Sequence, residues 1–322
     1  MTDNEQYRDP AEIRHRIGAT GAFNLANVSG DIRIRGTDGD EAIVQARGRG
    51  RNEWLPINVR KGEGVLSIEI DQKGPGAFLG WRGRNDVEVE FDIVLPRAAR
   101  VDVNAVSSDL DATEMVGDQS YRTVSGHIVL MRTGGRLSVT TVSGDAEVNA
   151  DEAIEADLNS TSGDLQLTGP LLRATKLRTV SGDVEVRGGF EAGAMHGIET
   201  VSGDCDIESS TGLTVEVRKG IDLGGGPKQR VVGDGAARLR FRSLSGDLHV
   251  MAVGGERAVK DQRQWPPSPS TPPGPSEPPV RLMPLTRPAP PAQGATDSLA
   301  ILQALERGEI DVEEAQRRLG GA

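Results

Sequence analysis

Four aspartates that recur at nearly equal intervals have the clearest potential for chemistry in this sequence. Asp145, Asp164, Asp183 and Asp204 each end a Ser-Gly-Asp tripeptide, and successive members lie 19, 19 and 21 residues apart. If successive tripeptides stack, unit charges ~4.8 Å apart repel one another by roughly 0.9 kcal/mol even in water. Such a column needs compensation, and Ca²⁺, which prefers oxygen ligands, would supply it. A calcium column on these aspartates is therefore one hypothesis.

The second hypothesis for the same tripeptides is structural, and it is our main interpretation. Glycine adopts the backbone angles that a tight corner needs, while serine and aspartate accept hydrogen bonds from nearby amides. Calcium-binding nonapeptide repeats carry paired glycines, which the Ser-Gly-Asp turns lack, and His127 replaces the aspartate in one repeat. We therefore expect no metal. The predicted structural turn residues are Ser143, Gly144, Asp145, Ser162, Gly163, Asp164, Ser181, Gly182, Asp183, Ser202, Gly203 and Asp204.

No arrangement of nucleophiles, bases or metal ligands predicts an enzyme. The four histidines (His15, His127, His196 and His249) lack the spacing of a catalytic triad or a metal site. Cys205, the only cysteine, occupies a position that is otherwise Ile, Leu, Val or Ala, which indicates a buried side chain rather than a reactive thiol. The sequence therefore predicts no catalytic residue and no cofactor.

The segments between the turns alternate between apolar and polar residues. From Ser107 onward the turn serines lie 18, 18, 19, 19, 21 and 43 residues apart, and we interpret the last gap as two periods with a degenerate turn near residues 219–224. The first and third residues after each aspartate position are apolar, which is typical of a strand with one buried face. The first of these columns contains Ile32, Leu110, Ile128, Ala146, Leu165, Val184, Cys205 and Leu248.

The predicted fold class is all-β, a single-stranded parallel β-helix (β-solenoid) of ~18–21-residue coils with a short C-terminal α-helical hairpin. The predicted segments are residues 1–22 as an N-terminal segment, 23–252 as the β-solenoid repeat domain, 253–295 as a proline-rich disordered linker and 296–322 as the hairpin. Strands predicted at 23–26, 31–35, 42–47, 65–70 and 87–95 are expected to cap the N-terminal end of the solenoid. Between them, residues 74–81 predict a loop that exposes Phe78 and Trp81.

The charge and the composition exclude some classes of partner. The net charge of −11 argues against a nucleic-acid ligand, because phosphate binding needs concentrated Lys and Arg. The N-terminal residues lack the apolar stretch of a secretory signal, and no apolar run reaches the ~20 residues of a membrane span. We therefore expect a cytoplasmic protein without a transmembrane segment, with peripheral attachment to a membrane through a partner as the alternative.

The last 27 residues carry a helical pattern of apolar residues. Gly308 can end a first helix, and Asp311 can cap a second one with Glu314 at the capping-box position. Two helices of this length bury too little surface to be very stable alone, so we expect them to dock on a protein partner, another copy or the solenoid. The predicted docking residues are Leu299, Leu302, Leu305, Ile310, Ala315 and Leu319.

The repeated TVSGDVEV units, together with VEVEFDIVLPRAARVDVNAVSSDL before them, resemble the bacterial putative-adhesin β-strand-repeat family of unknown function over residues 23–252. The C-terminal ILQALERGEIDVEEAQRRL is similar to the SHOCT-like helical hairpin of some relatives. The resemblance implies a link to bacterial cell-envelope stress and brings no established catalytic residues.

The predicted function is that of a non-enzymatic binding or scaffold protein. It would present a repetitive solenoid surface, and the tethered hairpin would recruit a partner or another copy. A secreted or surface adhesin that binds carbohydrate is one alternative, and a glycan-active β-helix enzyme is another.

Overall fold

The computed structural model describes residues 7–49, 54–70, 88–220 and 228–253, and all the regular elements in these ranges are β-strands. The strands of the N-terminal part are β1 (Tyr7–Arg8), β2 (Ala11–Arg16), β3 (Ala22–Ala26), β4 (Ile32–Thr37), β5 (Glu41–Arg49), β6 (Trp54–Leu55), β7 (Ile57–Gly62), β8 (Val65–Ile70) and β9 (Glu88–Pro96). Those that follow are β10 (Arg100–Asn104), β11 (Leu110–Thr113), β12 (Asp118–Ser125), β13 (Ile128–Ser143), β14 (Ala146–Ser162), β15 (Leu165–Ser181), β16 (Val184–Phe190), β17 (His196–Ser202), β18 (Cys205–Ser209), β19 (Leu213–Lys219), β20 (Lys228–Val232), β21 (Ala237–Ser245) and β22 (Leu248–Ala252).

The strands form two stacks that meet at the Ser-Gly-Asp turns. Stack A contains the strand segments that lead into a turn, in the spatial order β7, β8, β3, β10, β12, β13, β14, β15, β17, β21, β19 and β20. Stack B contains the segments that leave a turn, in the order β2, β5, β9, β4, β11, β13, β14, β15, β16, β18 and β22. Strands β13, β14 and β15 belong to both stacks because each is long enough to run from one turn to the next.

The core lies between the two stacks and is filled by the alternating apolar residues. In the long strand β15, for example, Leu165, Leu167 and Leu177 are fully buried, while Gln166 and Thr168, which alternate with the first two, are exposed. Every member of the predicted inward column after the aspartate is buried, Cys205 included, so this prediction is confirmed. Period-two alternation fixes which face is buried, because a shift by one residue would turn every apolar side chain outward.

Antiparallel strands close the N-terminal end. Strands β2 and β9 flank β5 with antiparallel pairing, and β7 pairs antiparallel with β8 at the edge of stack A. The five strands predicted in this region are all present. Ser29 pairs directly with Ser107, so the long segment between these serines adds strands beyond Ser29 and inserts no coil between the two turns.

The chain changes direction near the C-terminal end of stack A. After β18 the chain forms β19, which lies two strand positions from β17 and leaves space for one strand between them. The chain then reverses in β20, which pairs antiparallel with β19, and β21 fills the position between β17 and β19. Ser202 on β17 is therefore a direct register partner of Ser245 on β21. The interpretation of the 43-residue gap as two stacked periods is wrong, because the extra residues form the β19–β20 excursion.

The predicted fold class is wrong as stated. The described chain is all-β and stacks coils in parallel, but five of its strand pairs are antiparallel, so it is not a purely parallel β-helix. The described residues contain no α-helix, and none of them forms a helix that could span a membrane. The predicted hairpin at residues 296–322 and the Phe78–Trp81 loop lie outside the described residues.

Candidate functional site

The glycine of each turn is required by both its backbone angle and its neighbours. Gly182 has a φ of 146°, in the left-handed region that residues with a side chain rarely adopt. A Cβ at this position would lie 2.2 Å from the carbonyl oxygen of Gly163, the equivalent residue one coil away. Other turn glycines show the same two features. At these glycines a side chain would therefore overlap the backbone of the next coil, and Ser108 is the one residue at this turn position that is not glycine.

The aspartates of the turns bind the backbone of the next coil. The Oδ1 atom of each accepts a hydrogen bond from the amide of the next residue in the column. The donor–acceptor distances are 2.9 Å from Asp164 to Asp145, 2.8 Å from Asp183 to Asp164, 2.8 Å from Asp204 to Asp183 and 2.7 Å from Asp247 to Asp204. At the one turn without aspartate, the amide of His127 still donates to Asp109 Oδ1 at 2.8 Å. This geometry supports a structural role for the column.

Two basic side chains, His127 and Lys219, lie beside the aspartate column. Nδ1 of His127 lies 3.4 Å from Asp145 Oδ2. At the other end, the hydrogen bond from Lys219 to Asp247 and the charge of the lysine lower the pKa of that carboxyl group. No group of three or more potential ligands is placed to hold a metal ion within the described ranges. Calcium binding to the column stays an untested alternative.

The coil-to-coil hydrogen bond leads to a prediction about Asp183. Replacing Asp183 by Ala removes the acceptor for the amide of Asp204, and we expect the free energy of unfolding to fall by about 1–2 kcal/mol. Asp183→Asn keeps a side-chain oxygen at the same place and should lose much less. Urea denaturation of the three proteins measures the difference. If both variants lost the same stability, or if a chelator lowered the melting temperature of the unsubstituted protein alone, charge or bound calcium would be the cause instead.

The residue before the turn serine forms an exposed apolar column. Val106, Val124, Val142, Val180 and Val201 are each between 42% and 49% exposed, and Leu244 is 56% exposed. Thr161 is the polar member of the column, between Val142 and Val180. Directly behind them, inward-facing Thr and Ser side chains line the corner. The hydroxyl of Thr123 donates to the carbonyl oxygen of Ser125 at 2.9 Å, and Ser243 makes the equivalent bond at 2.8 Å. The corner is thus apolar outside and polar inside.

A groove with a volume of about 750 Å³ lies on the outer surface of stack A. It lies over β13, β14, β15, β17, β21 and β19. In register across these strands, Lys176 on β15 is followed by Gly197 on β17 and Arg240 on β21. Because Gly197 has no side chain, the two cations flank an open floor about two strand spacings wide, or ~9.6 Å.

The groove is cationic in an acidic protein. Six lysine and arginine side chains and four carboxylates line it, which leaves a local excess of two positive charges while the whole chain carries −11. The lining ion pairs are Arg136 with Glu155 at 3.1 Å, Lys176 with Asp157 at 3.5 Å, Arg178 with Glu199 at 3.2 Å, Arg242 with Glu199 at 3.5 Å and Arg240 with Glu216 at 3.8 Å. Among the described residues Arg238 has no carboxylate partner.

Two further residues shape the groove near β17. Met195 stands at its rim with 85% of its surface exposed. Beneath it, His196 is buried against Phe190 with the rings edge to face, and its Nε2 lies 3.1 Å from the carbonyl oxygen of Glu191. Burial lowers the pKa of His196, because the cationic form would lose its hydration. His196 is therefore neutral at pH 7 and adds no charge to the groove.

The buried thiol of Cys205 takes no part in the groove or the turns. It is fully buried on β18, and burial raises its pKa, so the reactive thiolate is disfavoured. Its structural placement agrees with the sequence prediction.

The predicted site residues and the groove lie in different places. The structure brings the Ser, Gly and Asp turn residues together at the corner, where they hold successive coils. The predicted docking residues from Leu299 to Leu319 lie outside the described residues. The sequence-based predictions did not include the groove. One signal for it was present in the sequence, because Arg238, Arg240 and Arg242 alternate with apolar residues in Ala-Arg-Leu-Arg-Phe-Arg-Ser.

The comparison with protein families identifies the repeat region. Residues 22–221 match the family described as Toastrack DUF4097, and this match covers more than half of the chain. The chain belongs to the Toastrack DUF4097 family. The matched range ends after β19, so the Toastrack match includes every strand of the groove except β21. It does not extend to the C-terminal residues, and the resemblance of those residues to a SHOCT-like hairpin is not supported.

Solved structures with low sequence identity are similar to this Toastrack chain. A putative adhesin from Bacteroides fragilis NCTC 9343 is 12% identical, with 78% of this chain and 98% of the other covered and a TM-score of 0.38. A putative cell adhesion protein from Clostridium sporogenes ATCC 15579 is 12% identical, with 76% and 99% covered and a TM-score of 0.26. A putative adhesin from Parabacteroides distasonis ATCC 8503 is 12% identical, with 78% and 95% covered and a TM-score of 0.26. No curated protein matches the chain.

Proposed function

We propose that this protein is a non-enzymatic binding protein that holds an anionic ligand in the groove on stack A. The observation that carries the proposal is the excess of positive charge around an open floor at Gly197. Arginine binds carboxylate and phosphate groups with paired hydrogen bonds, and Arg238 has no carboxylate partner among the described residues. The open volume can take a ligand several residues or sugar units long.

The position of the groove on stacked strands supports binding in preference to catalysis. Its walls are hydrogen-bonded into stack A on both sides, so the cations are held at fixed strand spacings. The four lining carboxylates all have a cationic partner, and the one lining histidine is buried. A general base would need a free group within reach of the ligand. The cations are therefore suited to recognising charge.

The cellular use of such binding follows from where the protein acts. A scaffold linked to cell-envelope stress would bind an acidic partner inside the cell, and an adhesin would bind one at the surface. Cell fractionation of the tagged protein distinguishes these two proposals.

Binding of two labelled polyanions tests the proposed function. Fluorescence anisotropy with polyglutamate and with polygalacturonate should show salt-sensitive binding of at least one of them. The double variant Arg238→Gln/Arg240→Gln should weaken that binding by about tenfold or more, since each tenfold step corresponds to about 1.4 kcal/mol.

A matched variant controls for the general loss of surface charge. Arg122 on β12 faces outward in the same column as Arg178 and Arg242 but lies away from the groove, paired with Asp102 at 3.3 Å. Arg122→Gln should leave the affinity unchanged. Absence of binding to both polyanions, or an equal loss in the control variant, would refute the proposed function.

A further inference from the structure

The three arginines of β21 form a row with a defined spacing. Arg238, Arg240 and Arg242 are all exposed, while Leu239 and Phe241 between them are buried. Alternate residues of a strand lie ~6.7 Å apart on one face. The groove therefore presents guanidinium groups at a regular interval along the direction of β21.

An extended peptide has the same interval. Its alternate side chains also point to one side and repeat every ~6.7 Å. A peptide aligned with β21 can thus place a carboxylate opposite each successive arginine, with paired hydrogen bonds to the planar guanidinium. Carboxylates at every third position would face alternate sides and would miss the row.

The side of the groove formed by β15 and the floor at Gly197 also fit an extended acidic peptide. Lys176 and Arg178 on β15 lie two strands from Arg240 and Arg242, with Gly197 and Glu199 between them. Over Gly197 the floor is open, and a peptide backbone can approach stack A there. Glu199 bridges Arg178 and Arg242 at 3.2 Å and 3.5 Å, so the arginines with the weakest existing pairing are Arg238 and Arg240.

The lining chemistry disfavours a single-stranded nucleic acid. Proteins that bind such strands combine positive charge with aromatic side chains on which the bases stack. None of the described lining residues is Phe, Tyr or Trp, and the ring of His196 is buried. Charge and spacing are the two features that remain for recognition.

We propose that the groove binds an extended acidic peptide with Asp or Glu at every second position, aligned with β21. This inference rests on the proposed function, because it names the ligand of the same groove. The partner is accordingly a protein segment, and the spacing of its acidic residues determines its affinity.

Two peptides with the same composition test the spacing. The first is Glu-Ser-Glu-Ser-Glu-Ser-Ser and the second is Glu-Ser-Ser-Glu-Ser-Ser-Glu, both labelled at the N-terminus. The alternating peptide should bind about tenfold more tightly, because only its carboxylates reach the arginines together. Equal affinities would overturn the inference, and so would binding of polygalacturonate with neither peptide bound, although that second result would leave the proposed function standing.

A floor variant identifies the surface to which the peptide binds. Gly197→Leu should abolish the preference for the alternating peptide by filling the gap between Lys176 and Arg240. A Cβ at Gly197 has its nearest neighbour at 4.0 Å, so the fold accepts a side chain there. Arg122→Gln is the control and should keep the preference. If Gly197→Leu retained the full preference with an unchanged circular dichroism spectrum, the peptide would bind elsewhere and the inference would be wrong.

Discussion

Replacement of Gly182 by valine is expected to lower the free energy of unfolding by about 4 kcal/mol, the largest stability effect that we predict. Two costs add at this position. A β-branched residue at a φ of 146° is strained by about 1–3 kcal/mol, and the new side chain overlaps the carbonyl oxygen of Gly163 at 2.2 Å, which adds an overpacking cost of similar size. The two atoms nearest to the new Cβ, the carbonyl oxygen and carbon of Gly163, belong to the backbone of the stacked turn. Rotation of a side chain therefore relieves neither cost.

Gly197→Ala is the matched control for this prediction. Gly197 lies on β17 in stack A without a positive φ, and the nearest atom to a Cβ there, the carbonyl oxygen of Arg240, would be 4.0 Å away. We expect its stability to stay within about 0.5 kcal/mol of the unsubstituted protein. Chemical denaturation followed by far-UV circular dichroism measures all three proteins. Similar unfolding curves for Gly182→Val and Gly197→Ala would show that the turns are not stacked as described.

The second prediction with a large effect is that cysteines introduced at positions 202 and 245 form a disulfide bond. Ser202 and Ser245 are exposed register partners on adjacent parallel strands, ~4.8 Å apart. This separation falls within the ~4.4–6.8 Å that a disulfide spans between Cα atoms. In a Cys205→Ala background, Ser202→Cys with Ser245→Cys should therefore form a bridge almost completely under mild oxidation. Mass spectrometry of the proteolysed protein would detect the linked peptides.

A more distant pair of the same column provides the control. Ser181 pairs with Ser202, so it lies two strand spacings, or ~9.6 Å, from Ser245. The variant Ser181→Cys with Ser245→Cys should remain reduced. If a coil did separate Ser202 from Ser245, as the 43-residue gap suggested, the first pair would stay unlinked as well. The cross-link thus distinguishes the observed order of β17, β21 and β19 from simple sequential stacking.

The repeated coil could be predicted from the sequence because its causes are local. A glycine with a positive φ recurs in every turn except the one that carries Ser108, and the two residues that face the core follow at fixed offsets. Leu165, Val184 and Cys205 are buried for this reason, although they lie about 20 residues apart along the chain. The hydrogen-bonding role of Asp183 follows from the same regular stacking.

The groove could not be predicted in this way, because it depends on contacts between distant parts of the chain. Lys176, Gly197 and Arg240 become neighbours only after β21 returns to pair with β17. The spacing of the turns does not predict that β21 pairs with β17, since the same 43 residues could equally have formed another pair of coils. The arginine row was visible as an alternating pattern, but its opposite wall and its open floor were not.

The sequence by itself therefore determined the turns, the buried face of each strand and the parallel stacking of successive coils. These features follow from backbone angles at glycine and from period-two burial, which act over a few residues. The tertiary structure decided the antiparallel strands at the N-terminal end and the insertion of β21. It also decided which outward side chains meet over Gly197. Outward positions carry no burial constraint, so their neighbours are set only by the order in which distant strands pair.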